Sequence, residues 1–199
     1  MFWECRRQEM GRNRYSVSEF IGNTFSLILT KISFPQARLL RRPIYIRGGK
    51  SIEGARNITT GHACRFDLEG ERKTLFIGEN CEIGDNVHIV AHEKVVIGDN
   101  VLMASKVFIS DTNHGIYKGE KQDSPETTPN SRQLVTKPVK IGNNVWIGEN
   151  VVILAGSEIG DGCVIGANSV ITKVIESNSM VVGNSKIIKR WTDNQWTVL

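Results

Sequence analysis

The sequence predicts an all-β fold in which short strands wind into a parallel β-helix. Between residues 141 and 172, isoleucine recurs every six residues without a slip. This spacing matches neither the helical period nor the simple strand period, so each unit must combine a short extended piece with a turn. Glycine directly follows four of these isoleucines, where it relieves crowding as the chain bends. The isoleucines are Ile141, Ile147, Ile153, Ile159, Ile165 and Ile171, and the glycines are Gly142, Gly148, Gly160 and Gly166.

The same six-residue frame extends upstream and covers most of residues 46–172. It resembles the hexapeptide repeat of left-handed parallel β-helices, and this resemblance implies left-handed coils over residues 44–183. Further units begin at Ile77, Ile83 and Ile89, at Ile97, Met103 and Ile109, and more weakly at Ile46, Ile52, Ile58 and Cys64.

Residues 1–43 are predicted to form a separate basic and helical segment. Residues 16–33 favour a helix, because Ser16 or Ser18 can cap its start and Pro35 ends it. Phe20, Thr24, Leu27, Ile28 and Ile32 share one face of this helix. We expect the helix either to cover the open end of the β-helix or to lie on a membrane interface.

The net charge of +4 is concentrated at the N-terminal end, where ten Lys and Arg stand against three Glu in residues 1–50. Such a segment suits anionic phosphates of a cofactor or a membrane surface, or it is simply a solvated basic face.

A long polar stretch at residues 112–140 interrupts the repeats. A loop of this length inside a compact repeat domain is expected to be either functional or disordered, and insertions in solenoids emerge on one face, often the binding face. The tail, residues 184–199, carries Trp191 and Trp196. We expect it to form a short C-terminal helix that folds back on the coils.

The four cysteines show neither a CxxC pair nor a metal-binding spacing. Cys64, Cys81 and Cys163 take inward positions of the six-residue frame and are predicted to be small apolar core residues in a reducing cytoplasm. The apolar stretch at residues 20–34 is too short and too interrupted to span a bilayer. No secretory signal is evident. The sequence therefore favours a cytoplasmic protein, with the inner face of the membrane as the place where its basic end would act. The cysteines are Cys5, Cys64, Cys81 and Cys163.

His114 is the candidate general base. It lies where the chain leaves the coils for the long loop. An imidazole has an unperturbed pKa of about 6.5, so it can accept a proton from a hydroxyl near neutral pH. Asp111 or Asn113 would hold the ring in the required tautomer. On spacing alone, an exposed loop histidine is more often incidental.

Three strings carry a resemblance to a known enzyme family: SDTNHG at residues 110–115, PVKIGNNVWIG at residues 138–148 and IGANSVITK at residues 165–173. With them, residues 35–189 resemble the hexapeptide-repeat acyltransferases that use acetyl-CoA. Within that family, the string RRPIYIR at residues 41–47 favours the O-acetyltransferases of lipopolysaccharide, capsule and exopolysaccharide synthesis.

The resemblance implies a homotrimer that binds CoA between adjacent subunits, with His114 as the base that deprotonates the acceptor hydroxyl. It places Trp146 beside the pantetheine and the backbone of Ala155 and Ala167 on the pantetheine arm. Thr172 and Lys173 would lie near the nucleotide end, where an ammonium group suits a phosphate. Without a ligand, the alanines would simply be small corner residues, and the tryptophan an aromatic at a subunit contact.

The expected reaction is the direct transfer of an acetyl group from acetyl-CoA to a sugar hydroxyl of a bacterial surface polysaccharide. No cysteine lies in a motif for a covalent intermediate. His88 faces outward in the frame and would orient the acceptor, as would Asn113. The alternative within the family is N-acetylation of an amino sugar on a nucleotide carrier.

A zinc carbonic anhydrase of the γ class shares the coiled fold but needs three histidine ligands. The spacing of the four histidines does not match that class, and the long loop does not belong to it. No metal and no nucleic-acid partner is predicted. The histidines are His62, His88, His92 and His114.

Overall fold

The structure, a computed structural model, describes residues 15–199. The first 14 residues, including Cys5 and four of the N-terminal arginines, lie outside the described residues. Within 15–199 the chain forms one α-helix, α1 (Val17–Ser33), and 23 short strands. Two single 3₁₀ turns lie at Gly49–Ser51 and Pro129–Ser131.

The strands fall into a set before the long loop and a set within and after it. The first set is β1 (Leu39–Leu40), β2 (Ile44–Arg47), β3 (Ile52–Gly54), β4 (Thr59–Thr60), β5 (Cys64–Leu68), β6 (Leu75–Ile77), β7 (Glu82–Ile83), β8 (His88–Ala91), β9 (Val95–Ile97), β10 (Leu102–Met103) and β11 (Phe108–Ser110). The second set is β12 (Thr112–His114), β13 (Leu134–Thr136), β14 (Val139–Ile141), β15 (Trp146–Ile147), β16 (Val152–Ile153), β17 (Glu158–Ile159), β18 (Val164–Ile165), β19 (Val170–Ile171), β20 (Val174–Ile175), β21 (Ser179–Val182), β22 (Lys186–Thr192) and β23 (Gln195–Val198).

Successive strands wind around three parallel sheets, which we call faces A, B and C. Face A stacks β1, β4, β7, β10, β15, β18 and β21; face B stacks β2, β5, β8, β11, β16 and β19; face C stacks β3, β6, β9, β14, β17 and β20. Each coil places one strand on each face and pairs it in parallel with the coils above and below. The prediction of an all-β, left-handed parallel β-helix is confirmed. The coils begin at Leu39, ahead of the predicted boundary at residue 44.

The isoleucines of the repeat form the core, since Ile147, Ile153 and their counterparts in other coils are fully buried. Cys64, Cys81 and Cys163 lie among them, as predicted. Burial raises the pKa of the Cys64 thiol to about 11 and raises the pKa values of the other two thiols. These three residues therefore act as small apolar groups.

The corners between faces depend on residues that tolerate close approach or left-handed backbone. A Cβ added to Gly84 would lie 2.6 Å from the carbonyl carbon of Ala104 in the next coil. Asparagines occupy another corner with φ of 58° at Asn80, 56° at Asn100 and 55° at Asn144, a conformation that asparagine tolerates. Their side-chain amides form a ladder, with 3.2 Å between Asn100 and Asn144.

Helix α1 covers the first coil, which confirms one of the two predicted positions for it. Ser16 caps the helix and forms a capping box with Glu19. Strand β1 is the edge of face A. The Thr30 hydroxyl lies 3.0 Å from the Leu40 N–H, which donates to it, and the Ser26 hydroxyl accepts from Arg42 N–H at 3.2 Å. Serine and threonine side chains therefore satisfy backbone groups of the open end.

The predicted C-terminal helix is wrong. Strand β22 pairs antiparallel with β21, and β23 folds back on β22. Asp193 and Asn194 take φ values of 50° and 59° at the turn, and the rings of Trp191 and Trp196 pair with centroids 5.5 Å apart. A two-residue turn with positive φ at both positions matches the twist of a hairpin, and cross-strand aromatic pairs stabilise one.

No helix within residues 15–199 is both long enough and apolar enough to cross a membrane.

We predict opposite effects for two glycine substitutions. Gly84→Ala forces a Cβ against the backbone of the next coil and should lower the free energy of unfolding by about 1–3 kcal/mol. Gly22→Ala lies in α1 with no atom within 4 Å of the added Cβ, and should raise it by about 0.5–1 kcal/mol. Urea unfolding followed by circular dichroism measures both. Equal changes in the two variants would show that corner crowding does not set the choice of glycine.

Candidate active site

The long loop leaves the coils at the corner between faces B and C, which we call the B–C corner. It departs after β11 and returns at β14. At its base, β12 and β13 form an antiparallel hairpin that pairs Asn113 with Val135 and His114 with Leu134. The next two coils stack on the coil from which the loop departs. Their B–C corners, which carry Ala155 and Thr172, therefore follow the base of the loop along the axis of the β-helix.

Asp111 fixes the point where the loop departs. Its carboxylate is fully buried and accepts backbone N–H groups from His92 at 3.0 Å, Glu93 at 2.8 Å and Lys94 at 2.9 Å, in the corner of the preceding coil. It also accepts the Thr112 hydroxyl at 2.8 Å. Charge-assisted hydrogen bonds of this kind are stronger than neutral ones. Asp111 therefore ties the loop to the coil below it.

The ring-orienting role expected for Asp111 needs correction. Its oxygens are occupied by four donors of the B–C corner, and none of these donors is the His114 ring. The physical reason is position: Asp111 is the last inward residue of its coil, whereas His114 is exposed on the hairpin. Asp111 therefore positions the loop rather than the imidazole.

The backbone around His114 is held from within the loop. Its carbonyl oxygen accepts a hydrogen bond from the Tyr117 hydroxyl, to which Arg132 Nη1 donates at 2.8 Å. Arg132 Nη2 also donates to the Thr127 carbonyl at 2.7 Å. The imidazole itself is exposed and makes no hydrogen bond to any other residue in 15–199. A proton-accepting group with a fixed backbone and an open ring is accessible to a substrate.

A groove of about 410 Å³ runs between the loop and the corners of the two coils that follow it. It brings together three residues predicted from the sequence: Asn113, Ala155 and Thr172. Lys137, which the sequence reasoning missed, also lines the groove. Its signal is its position just after β13, two residues before the returning strand β14. The remaining lining residues are Gly115, Ile116, Tyr117, Lys118 and Val135.

The groove is basic. Lys118 and Lys137 line it, and Lys173 follows Thr172 at the same corner and is exposed. None of the described residues that line it is acidic. Such a groove favours an anionic ligand, because like charges lining one cleft reinforce each other's field.

Two predicted residues lie elsewhere on the chain. Trp146 is on face A between Leu102 and Val164 and is 53% exposed. Ala167 is exposed at the corner between faces A and B. Face A is opposite the B–C corner in a three-sided coil, so neither residue lines the groove of its own chain.

His88 lies on face B and points outward, as the frame predicts. Its Nε2 is 3.0 Å from Asp67 Oδ2, and the same oxygen accepts from Arg65 Nε at 2.6 Å. The Phe108 ring packs beside it, with centroids 5.2 Å apart. Burial acts to raise the pKa of Asp67, but the hydrogen bonds from Arg65 and His88 and the charges of Arg65 and Arg47 outweigh it and lower that pKa.

Within residues 15–199, no group of three or more His, Cys, Asp or Glu side chains is placed to hold a metal ion.

Comparison with known proteins identifies the family. Residues 138–173 match the family model described as bacterial transferase hexapeptide (six repeats). The chain is 42% identical over 180 residues to the putative lipopolysaccharide biosynthesis O-acetyl transferase WbbJ of Escherichia coli, covering 89% of this chain and 91% of that protein. The chain belongs to the hexapeptide-repeat acyltransferases. A galactoside O-acetyltransferase of Escherichia coli is 40% identical over 109 residues, which is 55% of this chain and 50% of that enzyme.

Two solved structures have a similar fold. AntD, an N-acyltransferase from Bacillus cereus in complex with dTDP and 3-hydroxybutyryl-CoA, superposes with a TM-score of 0.68 at 20% identity, covering 89% of each chain. The hexapeptide-repeat-containing acetyltransferase VCA0836 of Vibrio cholerae gives a TM-score of 0.55 at 28% identity, covering 72% of this acyltransferase and 75% of that chain.

We predict that Asp111→Ala detaches the loop of this acyltransferase. The variant leaves three part-buried N–H groups without their acceptor and should lower the free energy of unfolding by about 1.5–3 kcal/mol. Trypsin should then cut the loop at Lys118 or Lys121 faster than in the unmodified protein.

Thr112→Val is the matched control, because it removes one donor from the same carboxylate and leaves the three backbone donors in place. It should therefore lower the free energy of unfolding clearly less than Asp111→Ala. Loss of acetyl transfer in Asp111→Ala with unchanged stability and unchanged cleavage would instead support the ring-orienting role.

Proposed function

We propose that this chain is an acetyl-CoA-dependent O-acetyltransferase that acetylates a sugar hydroxyl during synthesis of a bacterial surface polysaccharide, an O-antigen, capsule or exopolysaccharide. The observation that carries the proposal is the open imidazole of His114 on a fixed loop backbone beside a basic groove. The near full-length similarity to an enzyme named for lipopolysaccharide O-acetylation supports the acceptor class.

In the proposed reaction, an imidazole nitrogen of His114 takes the proton of the acceptor hydroxyl. The oxygen attacks the thioester carbonyl, a C–O bond forms, and the C–S bond breaks as the tetrahedral intermediate collapses. The proton then passes to the sulfur, and CoA leaves as a thiol. Backbone N–H groups stabilise the oxyanion. Cys64, Cys81 and Cys163 are buried with raised thiol pKa values, which favours this direct transfer over a covalent acyl-cysteine among the described residues.

The groove is the proposed place of CoA. Ala155 and Thr172 lie along the coils, and Lys118, Lys137 and Lys173 supply positive charge for phosphates. Asn113 lies in the hairpin at the base of the loop, where the thioester and the acceptor would meet.

Trp146 and Ala167 join this site if a neighbouring copy supplies them. Each is exposed, and each lies on a part of the coil away from the groove of its own chain. A cyclic homotrimer brings one subunit's B–C corner against another face of the next subunit, which gives a site between subunits. In this arrangement His88 contacts the acceptor from face B, with Asp67 fixing its ring.

We place the enzyme in the cytoplasm, at the inner face of the membrane. The three free thiols in the core suit a reducing compartment. The acceptor is then a nucleotide-linked or lipid-linked sugar, or the growing polymer.

The alternative is N-acetylation of an amino sugar on a nucleotide carrier. Acetyl-CoA consumption with a sugar that carries only hydroxyls, compared with the same sugar carrying one amine, separates the two reactions. Turnover that requires the amine would replace O-acetylation by N-acetylation.

We predict that His114→Ala lowers the rate of thiol release from acetyl-CoA by about a hundredfold or more, as expected for loss of a general base. The acceptors are lipid-linked O-antigen or capsule repeat units, and CoA affinity should stay unchanged. His62→Ala is the control, because His62 is exposed at a corner remote from the loop. A rate unchanged in His114→Ala would exclude His114 as the base.

The shared site predicts complementation between two defective variants. Homotrimers of His114→Ala lack the base, and homotrimers of Trp146→Ala should bind CoA weakly. When the two are unfolded together and refolded, about a quarter of the interfaces combine an intact His114 with an intact Trp146 from the next subunit. Activity should therefore rise well above that of either variant refolded alone. No rise in activity would indicate that both residues act within one chain or that Trp146 is not part of the site.

A further inference from the structure

Helix α1 presents its apolar side to solvent. Seven of its eight large apolar residues are between 43% and 78% exposed, and only Leu29 is half-buried. An ordinary surface helix instead buries its apolar stripe. Five of them follow one another at helical spacing and form a continuous strip, which we call the outer strip. The outer strip is Val17, Ile21, Phe25, Ile28 and Ile32, and Phe20 and Leu27 flank it.

The inward side of the helix is built from small polar residues. Ser26 and Thr30 are buried and hydrogen-bond the backbone of Arg42 and Leu40 at the open edge of the first coil. These two residues lie on the opposite side of the helix from the outer strip, given 3.6 residues per turn. The outer strip therefore points away from the coils, at the end of the β-helix axis.

Positive charge flanks α1 between the outer strip and the coils. Residues 15–50 carry six Lys and Arg and one acidic residue, Glu19. Lys31 is on the helix itself, Arg41 donates to Asn23 at 3.2 Å, and Arg42 Nη2 lies 3.4 Å from the Ser33 hydroxyl. Arg38 and Arg47 have acidic partners on the coils. Lys31, Arg41 and Arg42 form no ion pair with any residue in 15–199, so their charges are not neutralised there.

We infer that the outer strip docks on an anionic lipid bilayer, with α1 lying parallel to the membrane surface. Apolar residues of such a helix enter the boundary between headgroups and acyl chains, and neighbouring Lys and Arg contact anionic headgroups. A second copy of the chain is a poorer occupant, because the same basic residues would then face each other across the contact. The outer strip suits the apolar part of a bilayer, and the neighbouring Lys31, Arg41 and Arg42 suit its anionic headgroups.

This orientation also places the active site, a step that rests on the proposed function. On face B, three strand spacings separate β2 of the first coil from β11, where the loop departs, or about 14 Å along the axis. His114 would then lie above the membrane surface at a height that a lipid-linked sugar repeat unit can reach. A soluble nucleotide sugar would gain nothing from this arrangement.

The test is flotation of the full chain with vesicles of phosphatidylethanolamine and phosphatidylglycerol, compared with phosphatidylcholine vesicles. The unmodified protein should float with the anionic vesicles, and 0.5 M NaCl should weaken the binding. Ile21→Ser with Ile28→Ser removes two residues of the outer strip and should lower the partition coefficient on the order of tenfold or more.

Val174→Ser with Val198→Ser is the matched control, since both valines are comparably exposed but lie away from α1. It should bind like the unmodified protein, and equal thermal unfolding of all variants shows that the fold is kept.

The inference is overturned if the unmodified protein stays with the unbound fraction, or if the Ile21 and Ile28 variant floats as well as the control. It is also overturned if that variant changes only the sedimentation coefficient, which would assign the outer strip to a second copy. Acetyl transfer to a water-soluble acceptor should be equal in both double variants. Vesicle binding without any acetyl transfer would therefore refute the proposed function and leave the lipid contact standing.

Discussion

The identical register of neighbouring coils is the constraint on which the rest of this protein depends. Each strand is only two to five residues long along the coils, so its backbone groups stay paired only if the coils above and below keep the same phase. A slip by one residue would turn the buried isoleucines outward and interrupt the pairing of the neighbouring coils. This requirement explains the strict six-residue period, the crowded glycines and the left-handed asparagines at the corners.

Every departure from this register needs its own source of hydrogen bonds, and the features proposed here to be functional lie at those departures. At the open end, Thr30 and Ser26 of α1 substitute for a missing strand. At the other end, the hairpin of β22 and β23 continues face A. Where the loop departs, the Asp111 carboxylate accepts the backbone N–H groups of the preceding corner. It thus takes the place of backbone acceptors at the point where the chain leaves the coil. The long loop thus carries His114 without disturbing the coils.

The sequence predicted what is periodic and missed what depends on contacts between distant residues. The period identified the faces, the core and the buried cysteines, and Ser16 marked the start of α1. The bonds of Asp111 reach residues 17 to 19 positions earlier, which no local pattern reveals. The tail forms a hairpin instead of the predicted helix because Asp193 and Asn194 adopt positive φ at a two-residue turn, and because Trp191 and Trp196 pair across the two strands. The orientation of α1 could not be read from its apolar pattern, because the polar Ser26 and Thr30 bond the first coil while the large apolar residues of the outer strip face away from it.

The stack of coils fixes the distance between α1 and the long loop, and this distance also affects which acceptors the proposed site can use. A stack of paired coils has a fixed length, so the separation between α1 and the loop is set by the number of coils between them. If α1 contacts the membrane, the number of coils fixes the height of His114 above the lipid. The enzyme would then select lipid-linked acceptors partly by the distance between the reacting hydroxyl and the lipid anchor. Under the proposed function, residues of the groove then need to recognise mainly CoA and the local sugar geometry. The coils have already restricted which part of a longer acceptor can reach the proposed base.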